Sequence, residues 1–179
     1  SSTLVYATKT KQEKILSCHF RNNNDFITCG VSNLTFWIGN TSNTKCHEGI
    51  VGKIGKKQSH LSLTTLDDGR VVSGTMTGHL YLWDGRNCSK TIKAHDKSVN
   101  SLLQCKHGLL SGGRDGRVRL WSLPSLEPGA VFDIGGLGSF NPRVRSVSWS
   151  VDGKRLLIGT GGSEIYEISA GDGSNFHPG

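Results

Sequence analysis

Three side chains of the types used in nucleophilic catalysis lie within a short stretch of the sequence: His95, Ser111 and Asp115. In serine hydrolases, a His takes the proton of the Ser hydroxyl and an Asp orients the His ring. That chemistry also needs an exposed Ser and oxyanion donors beside it, and no motif in the sequence supplies them. We therefore expect no enzyme activity, and these residues need another explanation.

Metal and cofactor sites are not indicated by the residue spacing. The seven His residues include no pair spaced as ligands on one element, and the five Cys residues form no Cys-x-x-Cys pair. Residues 52–57 lack the spacing of a P-loop, and residues 135–138 lack the third glycine of a dinucleotide loop. We expect no metal and no cofactor, and we interpret the Cys residues as reduced thiols of a cytoplasmic protein.

The elements that must carry these side chains are short strands joined by tight turns. Residues 110–121 read as strand, turn and strand ending in Trp121, and residues 72–83 repeat the pattern and end in Trp83. The two Trp residues are 38 positions apart, a period typical of a four-stranded propeller blade. The 24 Gly residues and the short apolar runs also favour an all-β chain. No apolar run reaches the ~18 residues of a membrane helix, so we expect no membrane partner.

Aligning on this unit predicts an all-β fold, a β-propeller built from about four four-stranded blades. The predicted repeats cover about residues 9–54, 55–93, 94–134 and 135–172. Outer strands are predicted at 50–54, 89–93 and 130–134, whereas the fourth repeat has none. Residues 1–8 resemble an outer strand of a closing or neighbouring blade. A four-bladed ring, a dimer and a piece of a larger propeller all remain open.

These motifs resemble WD repeats, in which a blade can carry a hydrogen-bonded set of His, Ser or Thr, Asp and Trp. The third repeat matches that structural tetrad with four residues: His95, Ser111, Asp115 and Trp121. The second repeat keeps Ser73 and Trp83 but has Thr77 in the Asp position and Lys56 in the His position. The first repeat keeps Trp37 alone, and the fourth keeps none.

The order of motifs is similar to that of the echinoderm-microtubule-associated-protein-like family. The relevant segments are 29–37, 73–83, 93–96, 143–147, 157–160 and 164–168. The resemblance implies a non-catalytic protein-interaction platform within a microtubule-associated protein. It also implies a cytoplasmic, cytoskeletal location and tubulin or a microtubule-bound protein as partner. The alternative is a generic WD-repeat scaffold with an unrelated protein partner.

Charge is predicted to be uneven between the two faces of the propeller. The chain has a formal net charge of +7, and a one-sided excess of cations attracts acidic partners. The loops that carry acids such as Glu48 are assigned to the opposite face. Nucleic acid is not expected, because Phe140 is the single aromatic residue among the basic loops. The candidate partner-binding residues, here called the basic face, are Lys9, Lys11, Lys14, Lys56, Lys57, Lys97, Arg114 and Arg143.

Overall fold

The structure, a computed structural model, describes residues 14–39 and 43–170 together with Leu4 and Ala7. These residues form four antiparallel sheets, each with its strands paired in chain order. Blade one contains β1 (Ile15–Phe20), β2 (Phe26–Gly30), β3 (Asn33–Ile38) and β4 (Lys45–Glu48). Blade two contains β5 (His60–Thr65), β6 (Val71–Thr75), β7 (His79–Asp84) and β8 (Asn87–Lys93). Blade three contains β9 (Val99–Cys105), β10 (Gly108–Gly113), β11 (Arg117–Ser122) and β12 (Glu127–Asp133). Blade four contains β13 (Val144–Trp149), β14 (Arg155–Thr160) and β15 (Ile165–Ser169).

The prediction of an all-β fold made of four-stranded blades is confirmed, with a fourth blade of three strands in the described part of the chain. The helical structure that accompanies these strands is one short 3-10 turn at Gly135–Leu137 within the described ranges. None of the helices described has the length and apolar character needed to cross a membrane. The outer strand predicted within residues 1–8 lies outside the described residues, apart from Leu4 and Ala7.

The hydrophobic core is distributed over the interfaces between neighbouring blades. One cluster joins blades one and two around Phe36 and Trp83, and a second joins blades two and three around Leu80 and Trp121. A third cluster, which includes Ile158, joins blades three and four. Because blades pack on both sides of them, strands β6 and β10 are buried at every position. This burial on both faces explains why these strands lack the polar and apolar alternation of a half-exposed sheet.

The innermost strand of each blade packs against that of the next. Strand β1 contacts β5, β5 contacts β9, and β9 contacts β13. Within the described ranges, the fourth sheet shares no strand pairing with the first. The loops before the inner strands and the turns between the second and third strands therefore gather at one end of this row of blades.

The outer strand of blade one is not where the sequence predicted it. Residues 50–54 were expected to form it, but β4 covers Lys45–Glu48 and pairs Cys46 with Trp37. The later segment cannot extend as a strand because Gly52 has a φ of +63°, a left-handed conformation that turns the chain. The segment instead crosses toward blade two, where Val51 packs against the cluster around Trp83.

Candidate functional site

Four polar side chains of blade three form one buried network. The Oγ atom of Ser111 lies 2.8 Å from His95 Nε2 and accepts the indole N–H of Trp121 at 2.9 Å. On the other side of the ring, His95 Nδ1 lies 3.0 Å from Asp115 Oδ1. With its proton on Nδ1, His95 donates to Asp115 and accepts from the Ser111 hydroxyl, so every polar atom in the chain of contacts has a partner.

Asp115 ties this network to the surrounding backbone. Its carboxylate accepts the backbone amides of Asp96 at 3.0 Å and Arg117 at 3.2 Å. Burial by itself raises the pKa of Asp115, but the hydrogen bonds from His95 and the two amides outweigh it and hold the pKa below its ordinary value. Ser111 has no exposed surface, so its hydroxyl is not presented to a substrate. The geometry is that of a structural network that joins a loop, two strands and a turn.

Blade two contains a related network that the sequence alignment placed on the wrong residue. Lys56 was expected in the His position, but its backbone amide instead donates to the Tyr81 hydroxyl at 2.9 Å. His60, at the first position of β5, supplies the ring, with Nδ1 2.9 Å from Ser73 Oγ. The same Oγ accepts the indole N–H of Trp83 at 2.8 Å. Burial lowers the pKa of His60 to about 4, so the ring is neutral near pH 7.

Blade one retains more of the pattern than Trp37 alone. The indole N–H of Trp37 donates to Thr28 Oγ1 at 2.9 Å, and the ring stacks on Phe26 with centroids 5.5 Å apart. Thr28 occupies the third position of β2, as Ser73 does in β6. Alignment of the second strands gives the signal that the sequence interpretation missed.

The structure describes six of the eight residues assigned to the basic face. Lys9 and Lys11 lie outside the described residues. The other six are exposed: Lys14, Lys56, Lys57, Lys97, Arg114 and Arg143. They lie in or beside the loops that precede inner strands and the turns between second and third strands.

Three of these cations line one cavity of about 590 Å³ where blades two, three and four meet: Lys97, Arg114 and Arg143. Arg145, which the sequence interpretation did not select, lines the same cavity from strand β13. The signal for it is the spacing of Arg143 and Arg145 around the start of an inner strand. Lys57 lies elsewhere, in a smaller cavity lined by residues of blades one and two.

The expected separation of charge is reduced at blade one. Glu48 was assigned to the opposite face, but it ends β4 and its Oε2 lies 3.9 Å from Lys57 Nζ. The strand occupies residues earlier than predicted, so its last residue leads into a loop of the basic face. Both side chains are more than half exposed, and such pairs contribute less than about 1 kcal/mol. The pair offsets the charge of Lys57 without fixing its position.

The family described as "WD domain, G-beta repeat" matches residues 86–122, which include all four residues of the blade-three network. A solved structure, the WD40 beta propeller domain of Doa1, superposes with a TM-score of 0.75 over 93% of this chain and 54% of that one, at 20% identity. The chain has a β-propeller fold, and its residues 86–122 match the WD-repeat family.

Similar proteins extend the likeness over most of this chain. Echinoderm microtubule-associated protein-like 2 of Homo sapiens is 31% identical over 96% of this chain and 27% of its own length. Echinoderm microtubule-associated protein-like 4 of Xenopus laevis is 29% identical over 92% of this chain and 19% of its own. The chain therefore resembles a fragment of these proteins and spans about a fifth to a quarter of their length.

Proposed function

We propose that this chain is a non-catalytic protein-interaction platform within a microtubule-associated protein, and that its basic face binds an acidic protein surface. The partner is tubulin or a microtubule-bound protein, and the location is the cytoplasm, at the cytoskeleton. WD-repeat architecture and likeness to proteins named as microtubule-associated support an interaction role. The observation that carries the choice of face is the cluster of exposed cations at one end of blades two to four.

The cations of this cluster are available to a partner. Arg114, Arg143 and Lys97 form no ion pair with another described residue, whereas the carboxylate of Asp96 beside them is 3.2 Å from Arg117 Nη1. Arg117 Nε also lies 3.4 Å from Asp133 Oδ2, so Arg117 offsets the charge of Asp96 only in part. Cations still outnumber this one acid among the residues that line the cavity, and the local field is therefore positive. Such a field accelerates encounter with an acidic surface and weakens as salt is added.

A WD-repeat scaffold with an unrelated partner is the second candidate. The matched family description, "WD domain, G-beta repeat", names no partner, and the same cations would serve any acidic protein. The two candidates differ in whether microtubules themselves are bound.

Co-sedimentation with microtubules at increasing salt tests the proposal. One variant reverses three cations of the basic face: K56E, K57E and R114E. The matched control reverses three exposed cations of turns on the opposite face: R86E, K106E and K154E. We expect the first variant to bind at least about tenfold more weakly, equivalent to about 1.4 kcal/mol, and the control to bind like the wild type.

Each other result has a defined meaning. Equal losses from the two variants would show that net charge alone governs binding and would refute the assignment of the face. A wild-type protein that fails to co-sediment even at low salt would refute the microtubule partner and leave the generic scaffold. Thermal unfolding of both variants verifies that their folds are intact.

A further inference from the structure

The cavity on the basic face is built by three successive blades. Its lining comes from the inner strands β5, β9 and β13, from the turns after β6 and β10, and from the loops before β9 and β13. Two backbone hydrogen bonds hold the segments that carry Arg114 and Arg143. The amide of Arg114 donates to Ser98 O at 2.8 Å, and that of Gly161 donates to Arg143 O at 2.8 Å. The basic side chains therefore project from anchored backbone segments.

The cationic groups supply most of the free hydrogen-bond donors of the cavity. Ser98 Oγ donates to Asn100 Oδ1 at 2.9 Å, and Asn100 Nδ2 donates to Val144 O at 2.8 Å. Both neutral polar side chains are thus committed to neighbours. Within the described ranges, the cations that line the cavity have no ion-pair partner: Lys97, Arg114, Arg143 and Arg145.

The number and type of these cations favour a compact anion with several charges. A phosphorylated side chain carries about −1.5 to −2 charges at neutral pH on three acceptor oxygens. The planar guanidinium presents paired donors that match such oxygens, and three of the four cations here are Arg. A row of carboxylates fits cations spread along a surface, whereas these four line a single cavity of about 590 Å³.

We propose that this cavity binds a phosphoserine or phosphothreonine side chain of a protein partner. The guanidinium groups contact the phosphate oxygens, and Leu61 and the 60% exposed Met76 offer an apolar wall to the adjoining peptide residue. The assignment rests on the proposed function, because it places the partner on the same face and names the chemistry that the face recognises.

Fluorescence polarisation with a degenerate peptide library tests the assignment. The labelled peptides carry a fixed central phosphoserine, and matched libraries carry Ser or Glu at that position. We expect the phosphoserine library to bind at least about tenfold more tightly than the Glu library and the Ser library not to bind. Free O-phosphoserine should compete with the labelled peptides, whereas serine should not.

Substitutions locate the binding in this cavity. The double variant R143Q/R145Q should lower affinity about tenfold or more, and the matched control R86Q/K106Q on the opposite face should not change it. The variant R145K keeps the charge but loses the paired donors. Its affinity for the phosphoserine library should therefore lie between those of the wild type and the single variant R145Q. These side chains are exposed, so we expect wild-type thermal unfolding.

Three results would overturn the inference: no binding of the phosphoserine library, equal binding of the Glu library, or equal losses from R143Q/R145Q and R86Q/K106Q. Co-sedimentation separates its failure from that of the proposed function. Microtubule binding without phosphopeptide binding would refute the cavity assignment alone. Phosphopeptide binding without co-sedimentation would uphold the cavity and refute the microtubule partner.

Discussion

Removal of the Asp115 carboxylate is the most direct test of the network in blade three. In the Asp115→Ala variant, three N–H donors lose their acceptor: the ring Nδ1 of His95 and the backbone amides of Asp96 and Arg117. The His95 side chain has no exposed surface and that of Asp115 is 5% exposed. Water therefore has little access to the groups left behind.

The magnitude follows from the burial of each donor. An orphaned buried donor costs about 1–3 kcal/mol, and this value applies in full to the His95 ring. The Arg117 amide is partly buried and adds up to about 1 kcal/mol. The Asp96 amide is exposed, so water replaces its lost acceptor. We therefore expect Asp115→Ala to lower the free energy of unfolding by about 1–4 kcal/mol.

Urea denaturation at neutral pH measures this change, and the chain provides a matched control. Thr77 holds the equivalent position in blade two, where its exposed Oγ1 contacts Gln58 Oε1 and His79 Nδ1. We expect Thr77→Ala to cost less than about 1 kcal/mol, because water replaces both contacts. An Asp115→Ala protein as stable as the wild type, or no more destabilised than Thr77→Ala, would refute the buried-donor account.

Two further predictions concern stability. Burial lowers the pKa of His60 from 6.5 to about 4. As the pH drops, the unfolded chain therefore binds this proton before the folded chain does. The free energy of unfolding should fall by up to about 3 kcal/mol between about pH 6.5 and pH 4. NMR titration of the His60 ring checks the origin, and a midpoint near 6.5 would contradict it. Gly78→Ala should lower the free energy of unfolding more than Gly69→Ala does. Both glycines have positive φ, but a Cβ at Gly78 would collide with the backbone oxygen of His95, whereas a Cβ at Gly69 would lie in open space. Urea denaturation measures both losses of stability. We expect Gly69→Ala to cost about 1–2 kcal/mol, because its backbone is left-handed. Equal losses from the two variants would refute the steric contribution at Gly78.

Much of the fold could be predicted from local patterns. The spacing of 38 residues between Trp83 and Trp121 and the turns between short strands indicated the blades, and the Trp residues do lie on the third strands, paired with Val71 and Leu109. Strand pairing within a blade connects neighbours in the chain, so the residues of one hairpin largely determine it.

The tertiary structure decided the contacts between segments that hold different positions in the aligned repeats. The aligned repeats placed Lys56 in the position of the His that contacts the Ser hydroxyl, but in the structure the ring of His60 contacts Ser73. The network depends on which side chain reaches this hydroxyl, and the position of a residue in the loop does not determine that. The outer strand of blade one was similarly misplaced, since Gly52 turns the chain and hydrogen bonding to β3 selects the earlier segment.

The candidate site shows the same division. The sequence by itself determined that the chain is basic and that its cations recur in particular loops, because both follow from composition and the repeat. Only the tertiary structure placed Arg145 beside Lys97, Arg114 and Arg143 and engaged Asp96 with Arg117. The arrangement depends on how three blades pack around their inner strands, and packing between blades joins residues that are far apart in the chain.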